Sequence, residues 1–127
     1  MIRERALKIV MVLVGLLFSA AILPVIGGLR DPAGSDTGDT MQMVLYFSLG
    51  IFLLLAVRNP LAHRSLIAFA AWSSLAHSVV MGILGLEIPA LRTGFLIGSL
   101  VLVVIGIALL ALAPAKQSAE RAAAAGA

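Results

Sequence analysis

Of the two histidines in this chain, only His77 lies inside an apolar run, in the segment Trp72-Ser73-Ser74-Leu75-Ala76-His77-Ser78. An ionisable side chain within a hydrophobic segment marks a candidate functional site. On a helix, Ser73 and Ser74 stand at i−4 and i−3 of His77 and share its face, with Met81 one turn beyond and Trp72 to one side. Two readings follow. A neutral imidazole can donate to a serine hydroxyl or a carbonyl across a helix bundle, a structural bond of about 1 kcal/mol. Alternatively the face receives a lipid, a quinone or another apolar ligand, with Tyr46, Trp72, Ser73, Ser74 and His77 as its lining.

Harder chemistry finds little support. The other histidine, His63, lies about 20 Å from His77 along a helix axis, so one chain cannot supply bis-histidine haem ligation, and a methionine or a second subunit would be needed. A lone histidine with no carboxylate at its depth makes no metal site, and no activated nucleophile accompanies it. The absence of cysteine excludes disulfides, thiolate metal sites and CxxC redox chemistry. Small multidrug exporters depend on an embedded glutamate, whereas Glu4, Asp31, Asp36, Asp39, Glu87 and Glu120 all fall outside the apolar runs. No cofactor and no catalytic residue is read from the chain, and an enzyme or haem protein is the least supported function.

A second candidate is the basic cluster Arg58, His63 and Arg64 around Asn59-Pro60. It serves either as a topogenic turn or as a pocket for lipid headgroups, since basic sites at helix ends bind anionic lipid. Three aspartates in the stretch from Arg30 to Thr40 lack the D-x-[DN]-x-[DN]-G spacing of a calcium loop, so a solvated loop is expected there, with Asp39 or Thr40 capping the next helix.

The elements that position these residues follow from composition. The chain has 127 residues, 61% of them hydrophobic and 12% charged, with mean hydropathy +1.13. Soluble domains carry roughly 25% charged residues, so lipid is the expected solvent. The net charge of +3 does not point to nucleic acid, because the bases are scattered between apolar runs. Four spanning helices are expected at about 9–28, 41–57, 65–84 and 93–112, each near the ~20 residues that cross a hydrocarbon core. Together they form an all-α, four-helix membrane domain over 1–115 with short loops, followed by an alanine-rich cytoplasmic tail, 116–127. The basic start and Ser19-Ala20-Ala21 resemble a signal peptide. The apolar run continues to Ile26, however, so a retained first span is expected, with Pro24 near its far end. With Ser65 at the inner boundary, His77 lies roughly 18 Å into the membrane.

Bases set the orientation. With both termini inside, Arg3, Arg5, Lys8, Arg58, Arg64, Lys116 and Arg121 face the cytoplasm, against Arg30 and Arg92 outside; this positive-inside bias places a multi-pass protein in the bacterial plasma membrane. Helices in lipid associate through small residues. The packing candidates are Gly94, Gly98 and Gly106 on the fourth span, Gly15 and Ser19 on the first, and Gly50 on the second. They fit either intramolecular packing or contact with another subunit.

The runs Tyr46–Leu54 and Arg58–Ile67, with Trp72-Ser73-Ser74 and His77, resemble a family of small uncharacterised bacterial four-helix membrane proteins. That family shows an arginine-x-proline, histidine, tryptophan-serine and later histidine pattern. The likeness covers about a third of the chain and brings no established activity; it implies that Arg58, Pro60, His63, Trp72, Ser73 and His77 are the positions to test. The expected function is that of a non-catalytic membrane protein, an accessory or scaffold subunit or a homo-oligomer. Its partners are membrane lipids and either copies of itself or a larger membrane complex. The alternative is a binder of an apolar small molecule beside His77.

Overall fold

The computed structural model describes residues 2–114 and 116–126. These residues form six α-helices and two short 3₁₀ turns: α1 (Ile2–Ser19), α2 (Ile22–Arg30), α3 (Thr37–Ala56), a turn at Pro60–His63, α4 (Arg64–Glu87), a turn at Pro89–Leu91, α5 (Arg92–Leu112) and α6 (Lys116–Gly126). Four segments are long and apolar enough to cross a membrane: Ile2–Arg30, Thr37–Ala56, Pro60–Glu87 and Pro89–Leu112. The tail expected from 116 is helical as α6. Residue 115, the boundary expected before it, lies outside the described residues.

The first span is not the single helix expected at 9–28. It breaks at Ala20-Ala21, and the cause is Pro24, which has no N–H to give the Ala20 carbonyl four residues back. The chain tightens there instead. Leu23 N–H donates to the Ala20 carbonyl at 3.1 Å, and Ala21 N–H to the Phe18 carbonyl at 3.0 Å, both i→i−3 bonds of the 3₁₀ kind. The facing of side chains survives the break. Leu7, Met11, Val14, Phe18, Ala21 and Val25 are all buried, alternating steps of four and three as on a helical seam. Ile9, Leu13, Leu16 and Leu23 point outward, as lipid-facing residues do.

The following loop is stapled by its own polar groups. Asp31 precedes Pro32 and leaves the helical region (φ −132°, ψ 73°), which a following proline ring disfavours. Its Oδ1 accepts from Gly34 N–H at 3.1 Å. The capping residue of α3 is Asp36, not Asp39 or Thr40. Asp36 Oδ1 accepts from Asp39 N–H at 3.1 Å, so the first turn starts at Thr37 and places the Asp39 carboxylate at the positive end of the helix dipole.

The chain divides into two compact units, one of residues 8–59 and one made of residues 2–7 with the chain from Pro60 onward. In the 8–59 unit, α1 and α3 meet backbone to backbone. A Cβ on Gly50 would stand 2.5 Å from Ser19 N and 2.8 Å from the Gly15 carbonyl; one on Gly15 would stand 2.8 Å from the Leu54 side chain. Gly15, Ser19 and Gly50 are thus brought together at one crossing. Phe18 and Tyr46 pack edge to face there, with ring centroids 4.9 Å apart. Lower down, Gly28 is covered by Thr40.

In the other unit, α4 and α5 form an antiparallel hairpin. Contacts run in opposite senses, from Gly106 on Leu75 and the Ala71 carbonyl, through Gly98 on Met81 and Gly82 on Ser99, to Gly85 on Phe95 and Leu96. Gly106 and Gly98 serve this hairpin. Gly94 meets nothing within 4 Å, because the close approach at that level is made by Phe95 and Leu96 on another side of α5. The tail helix α6 runs beside the Pro60–His63 turn.

These contacts rank the small residues by substitution. Gly50→Ala should destabilise by about 1–3 kcal/mol, as overpacking against backbone does, whereas Gly27→Ala and Gly94→Ala meet open space and should be neutral or mildly stabilising. Ser19 Oγ is buried without a hydrogen-bond partner among the described residues, so Ser19→Ala should leave stability unchanged or raised. Thermal melting of the four variants in one mild detergent checks the order.

Candidate functional site

The polar face of α4 is the place to look for chemistry, and its serines come first. Ser74 and Ser78 are buried, Ser73 is half-buried and Trp72 is 62% exposed. Each hydroxyl proton is spent within its own helix. Ser74 Oγ donates to the Ala70 carbonyl at 2.6 Å and Ser73 Oγ to the same oxygen at 3.3 Å; Ser78 Oγ donates to the Leu75 carbonyl at 2.6 Å. A serine that back-bonds to its own helix hides its polarity from lipid and bends the helix slightly. Ser73 and Ser74 are therefore placed as self-satisfied groups, and their donors are already engaged.

One hydroxyl crosses between helices, and it belongs to a residue that spacing did not single out. Ser99 of α5 donates to the Ser78 carbonyl at 2.8 Å. That carbonyl would otherwise carry only its helical bond, and Gly82 lies beside it, where a Cβ would be in ordinary contact with Ser99 Oγ at 3.4 Å. The signal was present in principle, because Ser99 is the only hydroxyl in the interior of the fourth apolar run. What hid it was that a serine in a span has no spacing partner along its own helix.

His77 is half-buried on α4, between the buried positions Ser74 and Ser78 and the outward residues Trp72 and Val80. It is held by an interaction of its own. Tyr46 belongs to the 8–59 unit, where its ring rests on Phe18. The residues named for an apolar ligand are thus divided between two units, with Trp72, Ser73, Ser74 and His77 on one helix. Among the described residues, no group of three or more His, Cys, Asp or Glu side chains is placed to hold a metal ion.

The basic side chains do their work at helix ends. Arg3 Nη2 donates to the Ala111 carbonyl at 3.1 Å and the Ala113 carbonyl at 2.9 Å, and Arg64 Nε donates to the Pro114 carbonyl at 2.8 Å. The last carbonyls of α5 have no intrahelical donor and form the negative pole of its dipole, so the Arg3 guanidinium meets both needs, while Arg64 ties down the connector that follows the helix. At the opposite end of the hairpin, Arg92 donates to the Gly85 and Leu86 carbonyls at 3.4 and 3.1 Å, closing α4 the same way. Of the headgroup candidates, Arg64 donates to the Pro114 carbonyl, and Arg58, His63 and Arg64 are all exposed.

Two substitution pairs separate these roles. Ser99→Ala should cost about 0.6 kcal/mol, the mean of interhelical hydrogen bonds in lipid, and Ser78→Ala less, because the Ser78 backbone carbonyl that Ser99 uses remains. Arg3→Gln with Arg64→Gln should lower stability by about 1 kcal/mol through the loss of the bonds to the α5 end and to the Pro114 carbonyl, and the loss should shrink as salt rises. Equilibrium unfolding in mixed detergent micelles measures all four.

Comparison with known proteins adds a family and nothing nearer. No curated protein matches the chain, and no solved structure does. A family model matches residues 2–125, which takes in all four apolar segments and nearly all of the tail helix. The chain belongs to this family, DUF6632, a family of unknown function.

Proposed function

We propose that this protein is a non-catalytic subunit of a cytoplasmic membrane, an accessory or scaffold protein that works through its helix surfaces, either as a homo-oligomer or within a larger membrane complex. The observation that carries this reading is the destination of its polar groups. The α4 serines bond to their own helix, Ser99 bonds to the neighbouring helix, Arg3 and Arg92 close helix ends, and Arg64 holds the connector after α5. Groups disposed in this way hold helices in place. Their donors are not aimed into a cavity where a substrate would react.

The same contacts support an orientation with both termini in the cytoplasm. In the unit built on α4 and α5, Arg3, Arg64 and the end of α5 share one pole and Arg92 the other. The start of α1 and the end of α5 thus stand on one side, as an even number of crossings requires. Seven of the nine bases then lie on the cytoplasmic side, in keeping with positive-inside insertion.

A second reading keeps an apolar ligand beside His77, on the observation that His77 and Ser73 are half-exposed next to an outward Trp72. His77→Ala should then reduce capture of a photoreactive quinone analogue. If both capture and melting temperature stayed at the wild-type value, this reading would fail.

The chain has no cysteine, so single cysteines report topology cleanly. A membrane-impermeant maleimide should label Ala33→Cys in intact cells and Ala125→Cys only after lysis. Mass measurement of the wild-type protein in mild detergent should show an oligomer or a stoichiometric membrane partner. A strictly monomeric particle without a partner would overturn the subunit reading, and the reverse labelling pattern would overturn the orientation.

A further inference from the structure

We propose that Arg3 and Arg64 form a phosphate-binding pair at the end of α5, and that the phosphate is the headgroup of an anionic phospholipid. Arg3 Nη2 donates to the Ala111 and Ala113 carbonyls and Arg64 Nε to the Pro114 carbonyl. Two of these three acceptors belong to consecutive residues, whose Cα atoms lie about 3.8 Å apart, so both guanidinium groups are moored to one short stretch of backbone. Both arginines lie in the same compact unit, which joins residues 2–7 to the chain from Pro60 onward. Arg58 belongs to the other unit and is no member of the pair.

The mooring engages only some of the donors. A guanidinium carries five N–H groups in a planar fork. Arg3 makes both of its bonds through Nη2 and Arg64 makes its bond through Nε, so Arg3 Nη1 and the paired Nη1 and Nη2 of Arg64 stand outside these bonds. Both side chains are exposed. The end-on fork of Arg64 matches two oxygens of one phosphate, and a guanidinium is more weakly hydrated than an ammonium. Because backbone already fixes part of each fork, less rotamer freedom is lost when an anion binds. The charge balance favours an anion. The α5 pole contributes roughly half a negative charge, against two full positive charges. Arg5 at the start of α1 and Arg121 on α6, which runs beside the Pro60–His63 turn, add two bases to this end. Glu4 and Glu120 offset them in number, and each has an interaction of its own. The level also fits a lipid. The apolar segment Pro89–Leu112 ends here, where headgroup phosphates lie, and anionic lipids gather at bases on the cytoplasmic boundary.

This inference rests on the membrane-spanning reading above, but its test needs neither an orientation nor an oligomer, so its failure would leave the topology and mass measurements untouched. The full chain in neutral detergent micelles is titrated with phosphatidylglycerol or phosphatidylcholine, and native mass spectrometry counts the lipids bound. Phosphatidylglycerol should bind roughly tenfold more tightly, the equivalent of one charge-assisted hydrogen bond, and sodium phosphate at matched ionic strength should not displace it. Arg3→Gln with Arg64→Gln should bring the ratio close to one. Arg3→Lys with Arg64→Lys keeps the charge without the fork and should lose about half of the preference or more. Arg92→Gln removes equivalent carbonyl bonds from the opposite end of the hairpin and should keep the wild-type ratio, which separates lost binding from lost stability. Equal affinity for the two lipids in wild type, lysine variants as selective as wild type, an Arg92→Gln loss as large as that of the glutamine pair, or displacement by sodium phosphate would each overturn the proposal.

Discussion

A backbone carbonyl in hydrocarbon has no water to turn to, and each one left unbonded there costs several kcal/mol. In this chain the consequences of that constraint fall at helix ends and at one break. α5 stops at Leu112 before Pro114, and its end receives Arg3, with Arg64 on the Pro114 carbonyl just beyond; α4 stops at Glu87 before Pro89, and its last carbonyls receive Arg92. Arginine suits the task because its planar fork carries several donors and holds its charge, and Arg3 uses one Nη to reach two carbonyls. At Ala20-Ala21, where no arginine is available and none would be tolerated at depth, the backbone tightens its own ladder. The same need is met by side chains at the boundary and by geometry in the interior.

Once the backbone is closed, packing within each unit depends on how near two helices can come. Lipid gives apolar side chains no reason to prefer one another over the solvent, so contact area must come from close approach. Gly50 against Ser19 and Gly15, and Gly106 against Leu75 and the Ala71 carbonyl, are the points where Cβ atoms are missing and backbones touch. Both sit in the C-terminal third of their helices, with at least one full turn on either side of the crossing that each glycine sets. The large aliphatic residues are the filler around these points, and many of them face outward.

Much of this architecture is legible in the sequence because its governing signals are long or absolute. Four apolar runs of spanning length, prolines at 60, 89 and 114, and bases gathered between runs define the helices and their order with little ambiguity. The finer misses have local causes. Hydropathy is blind to hydrogen bonding, so the run through Pro24 reads as one span while the backbone there is broken. Asp39 and Thr40 lie nearer the apolar run than Asp36 and so read as the cap, yet the helix gains its first turn from residues too polar to count as span. Arg3 and Arg92 were legible as charge but not as caps, since their partner carbonyls are 108 and 6 residues away in the chain. Gly94 and Gly98 look alike in sequence, and only the position of the neighbouring helix distinguishes the packed one from the open one.

Polarity in a membrane helix has two destinations, the protein's own backbone or something brought from outside, and distances separate them. For Ser74 and Ser78 the acceptor is 2.6 Å away on the same helix, which removes the apparent polarity of α4 without any ligand. Three of the four polar groups that make the Trp72–Ser78 segment look like a site are thereby accounted for. The fourth, His77, is a half-buried imidazole held by an interaction of its own. A ligand beside it would meet the outward Trp72 ring and would have to gain most of its affinity from apolar contact. That arrangement suits a molecule already dissolved in the bilayer and is poorly suited to one arriving from water.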